Sequence, residues 1–120
     1  LRGEPPRDVP PALTMLFVPI NQHFMKSLMS FDPPGAIRAV RQPTLIVQGG
    51  QDLQVTVADA GQLHAGKPDA QLAVIRPANH VLKQTSATTL AGQLSTYQDP
   101  TAPIMPDVVN AIADWILKAP

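Results

Sequence analysis

The stretch PTLIVQGGQDLQV, residues 43–55, limits the folds open to this chain more than any other. Pro43 and the paired glycines Gly49 and Gly50 bracket Thr44–Gln48, a β-rich run. An unbroken apolar run, rather than an alternation, marks a strand buried on both faces, as in a parallel sheet. A second run, QLAVI at Gln71–Ile75, follows a helical signal. In that signal Thr56 is the N-cap, Val57–Ala65 the helix and Gly66 its stop. Strand, helix, strand and a closing helix make a βαβα order, which implies an α/β fold with a parallel sheet. Functional groups in open α/β sheets gather just past the carboxyl ends of the strands. Asp52 stands at such an end.

The remainder of the chain reads more coarsely. Residues 1–11 are polar and Pro-rich, and the start at Leu1 has the look of an internal one, with no signal-peptide pattern. Residues 12–30 read as helical. Ala12–Val18 is apolar, and Pro19 starts or kinks a second helix because it lacks an N–H and fixes its own φ. Ile20, Phe24 and Leu28 then recur every fourth position, beside Met25 and Met29. The FDPPG turn at residues 31–35 ends that helix, and Ala36–Val40 forms a short helical turn. Lys83–Met105 is expected to be a long polar segment. Pro106–Lys118 is a final helix with Val108, Val109, Ile112, Trp115 and Ile116 as its stripe. Asp114 and Lys118 form an i,i+4 pair on the opposite face.

Composition removes several classes of function. Nine basic and nine acidic residues balance, with no basic stripe, so no nucleic-acid partner is expected. No apolar stretch reaches the roughly 18 residues of a membrane span. With no cysteine, the chain has no disulfide, thiolate metal site or cysteine nucleophile of its own. His23 and His64 lie far apart and lack metal-ligand spacing. The reading therefore includes no metal and no cofactor.

Two strands are too few for an independent sheet, because both outer edges would carry unpaired backbone groups. The chain is expected to pair with a second copy or with a missing N-terminal half of a larger domain.

After the second strand comes RPANHVLK, residues 76–83, with His80 28 positions beyond Asp52. Neighbouring parallel strands would deliver both side chains to one edge. A carboxylate that accepts from one imidazole nitrogen fixes the tautomer and stabilises the imidazolium formed when the other takes a proton. Imidazoles suit general-base work at neutral pH. Taken singly, Asp52 also fits a turn former after two glycines, and His80 fits a loop histidine bonded to backbone. Met15, Met25 and Met29 read as core filler, with an acyl-pocket lining as the alternative. Lys83 reads as a solvated lysine, with contact to a substrate carboxylate as the alternative, and Asp59 as a supporter of its helix's first turn. Tyr97 and Asp99 fall in the long loop.

In order, GGQDLQV, DAGQL at residues 59–63, QLAVI and NHVLK resemble the C-terminal part of an α/β-hydrolase, in the esterase and serine-aminopeptidase-like branch. The resemblance covers roughly residues 31–118, and more weakly residues 12–30 as a lid-like or pre-strand helical segment. It implies that Asp52 and His80 are the acid and histidine of a triad that runs nucleophile, acid, histidine along the chain. It implies an ester or amide as the small-molecule substrate. The G-x-S-x-G elbow is absent, and Ser27, Ser30, Ser86 and Ser95 lack its flanking glycines. The resemblance thus implies a nucleophile, whether Ser, Asp or Cys, outside this chain. The alternative is a non-catalytic module that assembles through its exposed sheet edge.

Overall fold

The computed structural model describes residue 9 and residues 11–119. Most of the Pro-rich segment read over residues 1–11 lies outside the described residues. Two compact units meet in sequence at Asp32 and Pro33.

The first unit is helical. Pro11–Phe17 and Pro19–Asn21 are 3-10 turns, and α1 spans Gln22–Ser30. Pro19 does begin an element, where its missing N–H costs nothing. The expected helix over Ala12–Val18 is corrected to a 3-10 segment. Ile20, Phe24 and Leu28 are exposed, Ile20 at 88%, so their stripe is not a core. Met15 and Met29 are exposed too, which removes the core-filler reading for both.

The second unit carries the sheet. Helix α2, Pro33–Arg38, starts at the paired prolines, three residues before the expected turn. A proline in the first turn gives up an N–H that the helix would leave unpaired. Strand β1 is Leu45–Gly49, helix α3 Val57–Gly66 and strand β2 Gln71–Ile75. The two strands are parallel, with Leu45 opposite Gln71 and Gly49 opposite Ile75. Among the described residues they form a two-stranded sheet and no more. The expected N-cap of α3 is present as a full capping box. Thr56 Oγ1 accepts from the Asp59 N–H at 3.3 Å, and Asp59 Oδ2 accepts from the Thr56 N–H at 2.7 Å.

Lys83–Met105 is corrected: it contains α4, Leu90–Tyr97, N-capped by Thr89, whose hydroxyl accepts from the Gly92 N–H. The apolar signal is missing because the buried side chain of α4 is Gln93, while Leu90 and Leu94 are exposed. Helix α5 is Pro106–Lys118. Its Asp114–Lys118 pair forms at 3.8 Å. Of its stripe only Val108 is buried, while Val109, Ile112 and Ile116 are exposed.

Alternation along the strands divides the core in two. On one face Ile46 packs with Ala60, Ala70, Ile37, Leu63 and Leu72. On the other Val47 and Ile75 pack with Ala78, Leu82, Met105 and Val108. Val108 is 2% exposed, and burying a side chain of that kind stabilises by about 1.5–3 kcal/mol. Both cores back onto the strands, which fixes the loops at their carboxyl ends.

Candidate active site

The acid loop grows from Gly49 and Gly50. The Gly50 N–H donates to the Ile75 carbonyl at 2.8 Å, and the Gln51 N–H to the Ala78 carbonyl at 2.8 Å. These bonds press the loop against the chain leaving β2. A Cβ on Gly49 would lie 2.5 Å from the Asn79 oxygen, and one on Gly50 2.7 Å from the Arg76 Cα. The glycines are required by this close approach of two backbones.

Asp52 is held at every carboxylate oxygen. Its Oδ1 accepts from the N–H groups of Gln54 and Val55 at 2.8 and 2.9 Å. Its Oδ2 faces His80 Nδ1 at 2.9 Å and accepts a long bond, 3.4 Å, from Gln48 Nε2. Gln48, buried in β1, also donates to the carbonyls of Gly49 and Val55 at 2.9 Å each. Burial of Asp52 pushes its pKa up. The Val55 N–H, the His80 imidazole, the Gln54 N–H and the charge of His80 together outweigh that and hold the carboxyl below its ordinary value. Asp52 is therefore a carboxylate at neutral pH.

The histidine loop is built on Asn79, which is fully buried. Its Oδ1 accepts from the N–H groups of Val81 and Lys83, both at 3.1 Å. Its main chain pairs with Lys83 and Leu82. Leu82 has φ 60°, an uncommon conformation for a side chain of its size. The tight loop is closed on its far side by the Lys83–Ile104 bridge. His80 projects from its corner. Its side chain is 39% exposed and that of Asp52 6%. The carboxylate is thus inside and the imidazole at the surface. Among the described residues nothing hydrogen bonds to Nε2 of His80.

The structure brings Asp52 and His80 together, as the order of strands and loops predicts. Ser30 and Ser95 spend their hydroxyls on the carbonyls of Lys26 and Gly92. His23 lies on α1 and His64 on α3, and among the described residues no group of three His, Asp or Glu side chains is placed to hold a metal ion. No described helix is long and apolar enough to cross a membrane.

Several residues of the site escaped the sequence. Lys83 is half-buried and tied down rather than freely solvated: its Nζ donates to the carbonyls of Thr96 and Asp99 at 3.0 and 2.7 Å. Gln93 Nε2 donates to the carbonyls of Gln51 and Ala87 at 2.7 and 3.0 Å. Asn79 Nδ2 donates to Thr96 Oγ1 at 2.6 Å. Tyr97 lies beside His80 with ring centres 6.5 Å apart, and its hydroxyl meets Gln54 Nε2. Asn79 alone left a signal, as an Asx residue opening a tight loop. Comparisons of this chain with protein-family models, with curated proteins and with solved structures find no match.

Proposed function

We propose that this chain is the C-terminal portion of a serine-type α/β-hydrolase that acts on an ester or amide by nucleophilic acyl transfer. Asp52 and His80 are its acid and histidine, and the nucleophile comes from outside the 120 residues. The observation that carries this reading is the contact of Asp52 Oδ2 with His80 Nδ1 at 2.9 Å. A carboxylate there keeps the proton on Nδ1 and leaves the Nε2 lone pair facing outward. That nitrogen takes the proton from an attacking hydroxyl as the tetrahedral adduct forms. It then gives the proton to the leaving alcohol or amine. In the second half-reaction it draws a proton from water, and Asp52 balances the imidazolium in both.

A second reading has its own observation. Thr44 accepts from the Gln71 N–H, and Gly50 donates to Ile75, so the even positions of β1 bond to β2. The backbone groups of Leu45 and Val47 then point to the open edge. On this reading the chain is a non-catalytic module that assembles through that edge.

The experiment is to produce the polypeptide together with whatever segment its reading frame encodes before Leu1, and to assay p-nitrophenyl esters. Turnover that His80→Ala abolishes is expected. Turnover that survives His80→Ala, or its absence from a folded assembly, returns the chain to the second reading.

A further inference from the structure

We propose that α4 is a clamp on the Asp52–His80 pair, with Tyr97 as the positioning residue for the imidazole. The proposal rests on the reading of that pair as acid and base. Gln93, Thr96 and Tyr97 lie at i, i+3 and i+4 and so share one face of the helix. Each grips a catalytic loop. Gln93 Nε2 holds the carbonyl of Gln51, the residue before Asp52. Thr96 Oγ1 accepts from Asn79, the residue before His80, and donates to the Gln93 carbonyl at 2.7 Å. The two loops are thereby tied to one another through a single turn of helix. Gln93 is fully buried, where water does not compete for its bonds. Lys83 fastens the end of the same helix, its ammonium on the Thr96 and Asp99 carbonyls.

Tyr97 completes the arrangement from above. Its ring runs within 21° of parallel to the His80 ring. Its hydroxyl is engaged by Gln54, whose main-chain N–H also holds Asp52 Oδ1. An exposed imidazole is free to swing about its side-chain torsions. Once Nδ1 leaves the carboxylate, no other bond among the described residues fixes which nitrogen carries the proton. Tyr97 flanks one face of the ring, 6.5 Å away between centres, and Gln54 ties it to the loop that carries the acid.

The test reads His80 by ¹⁵N NMR in the chain as it stands, at a pH where the imidazole is neutral. Wild type is expected to carry its proton on Nδ1, with slow exchange to solvent. Tyr97→Ala should spread the proton over both nitrogens and speed that exchange several-fold. Tyr97→Phe, which keeps the ring but loses the hydroxyl that Gln54 engages, should fall between wild type and Tyr97→Ala, level with Gln54→Ala. Gln54→Ala should speed exchange by less; its exposed side chain reaches the pair only through Tyr97, so it keeps the question open to test should Tyr97→Ala fail to fold. Asp52→Asn should move the proton to Nε2. A wild-type signature in Tyr97→Ala, or in Gln54→Ala where the first does not fold, overturns the clamp while Asp52→Asn still shifts the proton. A wild-type signature in Asp52→Asn overturns instead the reading on which the clamp rests.

Discussion

Gln93 reaches back 42 positions to donate to the carbonyl of Gln51 at 2.7 Å, and in doing so leaves its own Oε1 buried with no hydrogen-bond partner among the described residues. The side chain is kept for its donor, at the cost of an orphaned acceptor. Gln93→Ala should strand the Gln51 and Ala87 carbonyls as well as open a cavity, costing about 2–4 kcal/mol. Gln93→Met, which keeps the volume and removes the orphan, should cost less. Urea midpoints of the two variants, at an unchanged slope, check the order.

The carboxyl of Asp52 gives the fold a pH signature. Its pKa is lowered in the folded chain, so the unfolded chain binds more protons as pH falls through the ordinary carboxylate range. Its contribution to stability is complete above that range and is lost as pH drops through the folded value. Asp69 and Asp99 are lowered too, and act alike in wild type and variant; Asp59 is lowered chiefly by its bonds from Thr56, and the charge of Asp52, the last of its influences, is lost in the variant. Urea midpoints taken from about pH 5 down to pH 2 should therefore fall more steeply for wild type than for Asp52→Asn. Parallel curves would mean that Asp52 titrates as it does in the unfolded chain.

Gly49→Ala should be disruptive although alanine is small. The new Cβ would meet the Asn79 and Ala78 oxygens at 2.5 and 2.7 Å, and both are main-chain atoms that cannot rotate aside. A loss of about 1–3 kcal/mol is expected, by thermal or urea denaturation. Because Asn79 precedes His80, the same change should weaken the Nδ1–H signal of the imidazole.

Gly61, on α3, supplies the control, since its added Cβ would meet nothing within 4 Å. Gly61→Ala should leave stability unchanged or raise it by up to about 1 kcal/mol, because alanine is the better helix former.

The open edge of β1 is tested by Leu45→Pro, at the first residue of the strand. This removes an N–H that points away from β2, so the parallel pair survives while a further strand cannot dock. Sedimentation should show a larger species for wild type and a smaller one for the variant. A wild-type chain that stays monomeric at all concentrations would show that the edge has no partner among its own copies.

What the sequence disclosed follows the apolar pattern. Gln71–Ile75 and Pro106–Lys118 have the expected bounds, and β1 is shifted by one residue, because apolar runs between prolines and glycines mark them. The meeting of Asp52 and His80 was legible from strand order alone, since parallel neighbours end at one edge. Helix α4 was not legible, because it docks through an amide and a hydroxyl rather than through leucines. Lys83 misled for the same reason: its ammonium is half-hidden on two carbonyls, which no hydropathy pattern records. The stripe of Ile20, Phe24 and Leu28 misled in the opposite sense, having the period of a buried face while standing in the open.

The central claim is that Asp52 orients His80 for acyl transfer. It is tested most directly by kcat on a p-nitrophenyl ester, measured for wild type and Asp52→Asn in the assembly that contains the nucleophile. The carboxylate sits on Nδ1 at 2.9 Å, and an amide there turns the wrong tautomer toward the nucleophile. A fall of about 10⁴-fold is predicted. A rate within a few-fold of wild type would contradict the account and leave Asp52 as the turn residue that its two backbone bonds already make it.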